Sequence, residues 1–85
     1  SHFLWKRLTR QVSGFLMELY TQGYFTGRTP EEAFYVKCDG ETNPPELRDA
    51  GIVVIECGVA PVRPAEYIVF RVEADMQEIG PDPLE

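Results

Sequence analysis

Leu4, Trp5, Leu8, Val12, Phe15, Leu16 and Leu19 recur at spacings of three and four residues, so on a helix they make one apolar stripe. The pattern predicts a long amphipathic helix from about Leu4 to Gln22, closed by Gly23 in the left-handed conformation that ends many helices. Such a stripe has to be laid against another surface. With 85 residues the chain forms one domain at most, and a domain this small buries only about 60% of the surface its unfolded chain exposes. The remaining residues must therefore supply the covering layer themselves.

Their patterning is that of a small sheet. Thr29-Pro30-Glu31-Glu32 is a helix start: a hydroxyl cap, a proline whose missing N–H costs nothing there, and a glutamate three residues after the cap. It leads into Ala33 to Cys38, which alternates, with Phe34, Val36 and Cys38 on one face and Tyr35 and Lys37 on the other. Asp39-Gly40 and Asn43-Pro44-Pro45 mark a loop, and Pro45 to Ala50 forms a short helix closed by Gly51. Ile52-Val53-Val54-Ile55, rich in β-branched residues, reads as a strand buried on both faces and running to about Val59. The prolines of Ala60-Pro61-Val62-Arg63-Pro64-Ala65 make a stiff connector. A third strand covers Tyr67 to Glu73, with Ile68, Phe70 and Val72 on one face and Tyr67, Val69, Arg71 and Glu73 on the other. Gly80, Pro81 and Pro83 follow without a pattern, so residues 77–85 read as a flexible tail. Residues 1–3 look like the remnant of a cleaved tag, which leaves the domain at 4–76. The fold class is α+β: a long amino-terminal amphipathic helix packed on a three-stranded sheet, with short helical turns in the connections.

Charge is unevenly distributed. Residues 1–28 carry a net charge of +3 and residues 29–85 one of −9, within a total of −6. So acidic a chain is poorly suited to gripping phosphate backbones, which requires Lys and Arg to displace counterions, and nucleic acid is not expected as a partner. No run approaches the roughly 20 apolar residues that cross a bilayer, so no membrane association is expected either. Cys38 and Cys57 each sit in an apolar run, where a buried free thiol is favoured over a single disulfide. These features suggest a soluble protein made in a cytosol.

Catalytic and metal-binding residue sets are thin. With one histidine in the chain, neither a Ser-His-Asp nor a Cys-His arrangement can be assembled, and two cysteines without further partners do not make a zinc site. Glu31 and Glu32 are better explained by the dipole of the helix they begin than by acid–base work. Two other features invite function. Lys6, Arg7 and Arg10 lie in the first turns of the long helix, where positive charge opposes the macrodipole. Lys6, Arg10, Ser13 and Met17 share one stripe opposite the apolar one, which is either an ordinary solvated face or an outward basic strip. The sheet, in turn, has edges that must be covered by the domain's own loops or paired with another chain.

Two ordered stretches are more specific. Thr29-Pro30-Glu31-Glu32-Ala33-Phe34-Tyr35-Val36-Lys37-Cys38-Asp39 is followed by Gly58-Val59-Ala60-Pro61-Val62-Arg63-Pro64-Ala65-Glu66-Tyr67-Ile68-Val69-Phe70-Arg71-Val72. Together they resemble the carboxy-terminal domain of the phage tail sheath family, and the helix from Leu4 to Gly23 is similar to the helix that precedes that domain. The resemblance spans Leu4 to about Asp75. It implies a structural subunit, not an enzyme, with no cofactor. Such subunits stack in rings around an inner tube, contract to drive the tube through a target envelope, and are linked by exchanged terminal strands.

Carried onto this chain, the resemblance makes Tyr67, Ile68, Val69, Phe70, Arg71, Val72, Glu73, Ala74 and Asp75 the candidates for strand pairing between subunits. It makes Lys6, Arg7 and Arg10 the candidates for contact with the tube. The implied partners are sister subunits, the tube protein and a baseplate, and the implied setting is a phage tail or phage-tail-like particle assembled in the bacterial cytoplasm. Sheath subunits are longer, with outer domains and an upstream helix and strand, so the chain is expected to be a fragment of one. Two other classes stay open: a small monomeric adaptor that binds an acidic partner through Lys6, Arg7 and Arg10, and a thiol-dependent enzyme using Cys38 or Cys57.

Overall fold

The structure, a computed structural model, describes residues 2–76. Residues 77–85, expected from the sequence to be a flexible tail, lie outside the described residues.

Helix α1 spans His2–Thr21, so His2 and Phe3, read from the sequence as part of a tag remnant, form its first turn. Its end is fixed by two bonds that close a Schellman turn: Tyr24 N–H to Leu19 C=O at 3.1 Å and Gly23 N–H to Tyr20 C=O at 3.0 Å. Gly23 has φ +88°, a conformation that a side chain would disfavour. The one-turn helix α2 (Pro30–Ala33) starts as the sequence predicts, with the Thr29 hydroxyl oxygen accepting from Glu32 N–H. Strand β1 (Phe34–Lys37), the short helix α3 (Pro45–Asp49), strand β2 (Ile52–Val59) and strand β3 (Ile68–Asp75) complete the order. The expected α+β class holds, and the three strands form one antiparallel sheet in the order β1-β2-β3.

The register assigns the two faces. Phe34 and Val36 of β1, Val53, Ile55, Cys57 and Val59 of β2, and Ile68, Phe70, Val72 and Ala74 of β3 share one face. Helix α1 lies on that face: Trp5 is buried with Cys38, Val53, Ile55 and Cys57, and Leu8, Val12, Val36, Ala74 and Met76 pack around them. Phe15 departs from the expected stripe and is 60% exposed. At about 100° per residue it falls between Leu4 and Leu8, inside the stripe, so its exposure is set by its place along the helix and not by its angle; the core cluster takes Trp5, Leu8 and Val12 from the helix. The expectation that β2 is buried on both faces is met, with Val53, Val54 and Ile55 all at or below 5% exposure.

One loop residue holds this sheet together. Strand β1 pairs with β2 only as far as Lys37 opposite Glu56, which would leave the backbone of Val54 without a neighbour on that side. Asn43, fully buried, takes the vacant place: its Oδ1 accepts from Val54 N–H at 2.6 Å and its Nδ2 donates to Val54 C=O at 3.1 Å. A side-chain amide thereby substitutes for a strand residue. The loop is built to deliver it, because Asp39 Oδ1 accepts from the N–H groups of Glu41 and Thr42 and Asp39 C=O accepts from Asn43 Nδ2. The Thr42 hydroxyl adds a second donor to Val54 C=O at 3.0 Å.

Replacing Asn43 by Leu leaves Val54 N–H buried without an acceptor. At about 1–3 kcal/mol for each buried polar group left unpaired, the variant is expected to lose on the order of 2–4 kcal/mol. Urea unfolding of the two proteins measures the difference, and a loss no larger than that of an exposed substitution such as Gln11→Leu would contradict this role.

Candidate interaction surface

The alternation of backbone directions identifies which groups of the sheet are unspent. Val54 turns its N–H and C=O toward Asn43, so its register partner Glu73 must turn its own away from β2. By the same alternation Ile55, Cys57 and Val59 address β3, while Val69 and Arg71 also direct their backbone groups outward. Strand β3 has no second neighbour among the described residues, so this row of donors and acceptors forms an open edge.

The side chains of that strand are unusually apolar for an edge. Val69 is 54% exposed, Phe70 41% and Val72 46%, with Phe70 and Val72 on the helix side of the sheet and Val69 on the other. Natural edge strands are usually blunted by charge, proline or a covering loop. Here Ala74 at the end of the strand packs against the core cluster, but Phe70 and Val72 stay largely uncovered. The nine sequence candidates Tyr67 to Asp75 thus fall on one strand with one exception: Tyr67 precedes β3 and is 56% exposed, and its hydroxyl reaches back over Gly58.

On the face opposite α1, Glu56 ties the three strands together. Its carboxylate accepts from the Tyr35 hydroxyl at 2.8 Å on one oxygen and from Arg71 Nε and Nη2 at 3.1 and 3.0 Å on the other. The bond from Tyr35, reinforced by Arg71, holds the Glu56 carboxyl below its ordinary value, and the same bond raises the Tyr35 phenol. The Tyr35 ring lies across Gly58, its register partner: a Cβ added at Gly58 would collide with the Tyr35 ring and with the Tyr67 hydroxyl. Gly58 is therefore the seat that lets two tyrosines close over the sheet. The two stretches singled out in the sequence meet here, Tyr35 from the first and Gly58, Tyr67 and Arg71 from the second.

The helix strip is only partly as expected. Lys6 and Arg10 are exposed and form no ion pair among the described residues, while Arg7 is half-buried. Met17 is exposed with them, as expected, and with half-buried Ser13 it lines a groove against Pro30, Glu31 and Phe34, where α2 folds back along that side of the helix. Cys38 and Cys57 are free and buried, as the sequence suggests, and burial raises both thiols above their ordinary value. Protonated, enclosed thiols serve packing better than nucleophilic attack. No group of three His, Cys, Asp or Glu side chains that could hold a metal occurs among the described residues, and no helix there is long and apolar enough to cross a membrane.

Comparison of the chain with protein-family models and with curated protein sequences finds no match.

The sign of the Glu56 shift fixes a pH dependence. A carboxyl held low in the folded state contributes stability above its unfolded pKa and loses that contribution as pH falls through the folded value. Stability of the wild-type protein is thus expected to drop on acidification from about pH 7 to pH 3 more steeply than that of Glu56→Gln. Urea midpoints across that range measure it, and parallel curves would contradict the assignment.

Proposed function

We propose that this chain is the carboxy-terminal domain of a contractile-tail sheath subunit, a structural protein that assembles by pairing strands with sister subunits around an inner tube. One observation carries the reading. The β3 edge directs the backbone groups of Val69, Arg71 and Glu73 outward beside exposed Phe70 and Val72, which is the chemistry another extended segment needs in order to add a strand. Main-chain bonds would hold the incoming strand, and the apolar side chains would favour burial.

The sequence resemblance supports the same reading, because the two stretches that carry it include α2 with β1 and the end of β2 with most of β3. In this proposal Lys6, Arg7 and Arg10 face the tube. Contraction would change how subunits are disposed while the strand links between them persist. A particle of this kind is assembled in the bacterial cytoplasm, and a baseplate is the remaining partner the reading implies.

Electron microscopy of the full-length subunit tests the proposal. Rings, tubes or sheath-like polymers are expected, and a protein that stays monomeric under all assembly conditions would overturn it. Substituting Lys6 and Arg10 together by Glu is expected to reduce co-sedimentation with the tube at low ionic strength, by an amount that shrinks as salt is added. Unchanged co-sedimentation would remove the basic strip from the tube interface.

A further inference from the structure

The order of charges along β3 selects one way for the strand to pair with a copy of itself. Val69, Arg71 and Glu73 direct their backbone groups outward, and only residues so directed exchange main-chain bonds with an added antiparallel strand. A second β3 laid antiparallel against the first must therefore set outward-directed residues opposite one another. Two registers do this while pairing most of the strand. In one, Arg71 meets Arg71 of the second copy and Val69 meets its Glu73. In the other, the two-fold axis passes between the two Val72 residues, and each Arg71 meets the Glu73 of the other copy. Like charges directly opposite destabilise a strand pair and opposite charges stabilise it, so the second register is favoured. The same register places Phe70 opposite Ala74 on the helix side, a ring against a small residue, and Val72 opposite Val72. Arg71 gives Nε and Nη2 to Glu56, while Glu73 is exposed and has no ion pair among the described residues. Pairing would set each guanidinium between two carboxylates.

We infer that β3 pairs antiparallel with β3 of a second copy of this chain, about a two-fold axis at Val72, so that one sheet continues through both molecules. Each copy offers the other the same patch, and an interface of that kind closes at two. The inference stands on the register and charge order of this strand and does not depend on the sheath reading. It bears on that reading because the dimer occupies the edge that strand exchange between subunits would need. Self-pairing thus holds subunits apart from the polymer, and dilution of the dimer returns the open edge.

Sedimentation of the chain over a range of concentrations is expected to show a monomer–dimer equilibrium. Glu73→Arg and Arg71→Glu each set like charges opposite in both pairs, and each is expected to weaken the dimer roughly tenfold or more. Mixed in equal amounts they restore complementary pairs, so heterodimers are expected at the wild-type level, which a variant that failed to fold could not form. The axis is read separately by oxidative cross-linking. Residues opposite each other at the Val72 position form a non-hydrogen-bonded pair about 4.5 Å apart at Cα, within reach of a disulfide. Val72→Cys is therefore expected to cross-link into dimers and Phe70→Cys is not, and the native Cys38 and Cys57 are buried and do not compete. A wild-type chain that stays monomeric at every concentration would overturn the inference. So would a mixture that dimerises no better than its components, or cross-linking through Phe70→Cys as efficient as through Val72→Cys. None of these results bears on whether the full-length subunit forms rings, tubes or polymers, so the sheath reading stands or falls separately.

Discussion

The pairing of β2 on both of its sides is the constraint on which the rest of the structure depends. A strand as apolar as Ile52–Val59 can be buried only if every backbone N–H and C=O along it finds a partner. Strand β3 supplies that on one side along the full length. On the other side β1 ends too soon, and the amide of Asn43 completes the ladder at Val54. Once β2 is satisfied, Val53, Ile55 and Cys57 can face Trp5 and the helix, while Val54 is closed off by Thr42 and Asn43. The arrangement also decides what is left over. Because β2 uses its backbone inward, alternation leaves Val69, Arg71 and Glu73 facing outward on β3.

Much of this was legible in the sequence, for physical reasons that differ from element to element. The helix was readable because a period near 3.6 extended over five turns, and the three strands because alternation or a β-branched run was bounded by glycine and proline. Their bounds fall within two residues of the expectation. The role of Asn43 was not readable. An Asn before two prolines is an ordinary loop signal, and nothing local indicates that a side chain will be delivered to a strand eleven residues on. Phe15 was misplaced for a related reason. Periodicity says which side chains share a helix face, but not how far along the helix the covering layer extends or whether α2 returns beside it.

The surface was legible in outline. The resemblance makes Tyr67 to Asp75 the candidates for strand pairing between subunits, and in the structure β3 lies outermost, with β2 on one side only among the described residues. What the sequence could not supply was the opposite face, where Glu56 joins Tyr35 to Arg71 and two tyrosines close over Gly58. That cluster stiffens the edge strand against its neighbour. A stiff edge is a better template for an added strand than a frayed one, since less order has to be created on binding.

The central claim is that the β3 edge is finished by another chain, and amide hydrogen exchange measured on the polymer and on the dissociated subunit tests it most directly. The account predicts that Val69, Arg71 and Glu73 exchange quickly in the dissociated subunit and become strongly protected in the polymer, while Ile68, Phe70 and Val72, already bonded to β2, change little. Equal exchange at Val69, Arg71 and Glu73 in the two states would contradict it.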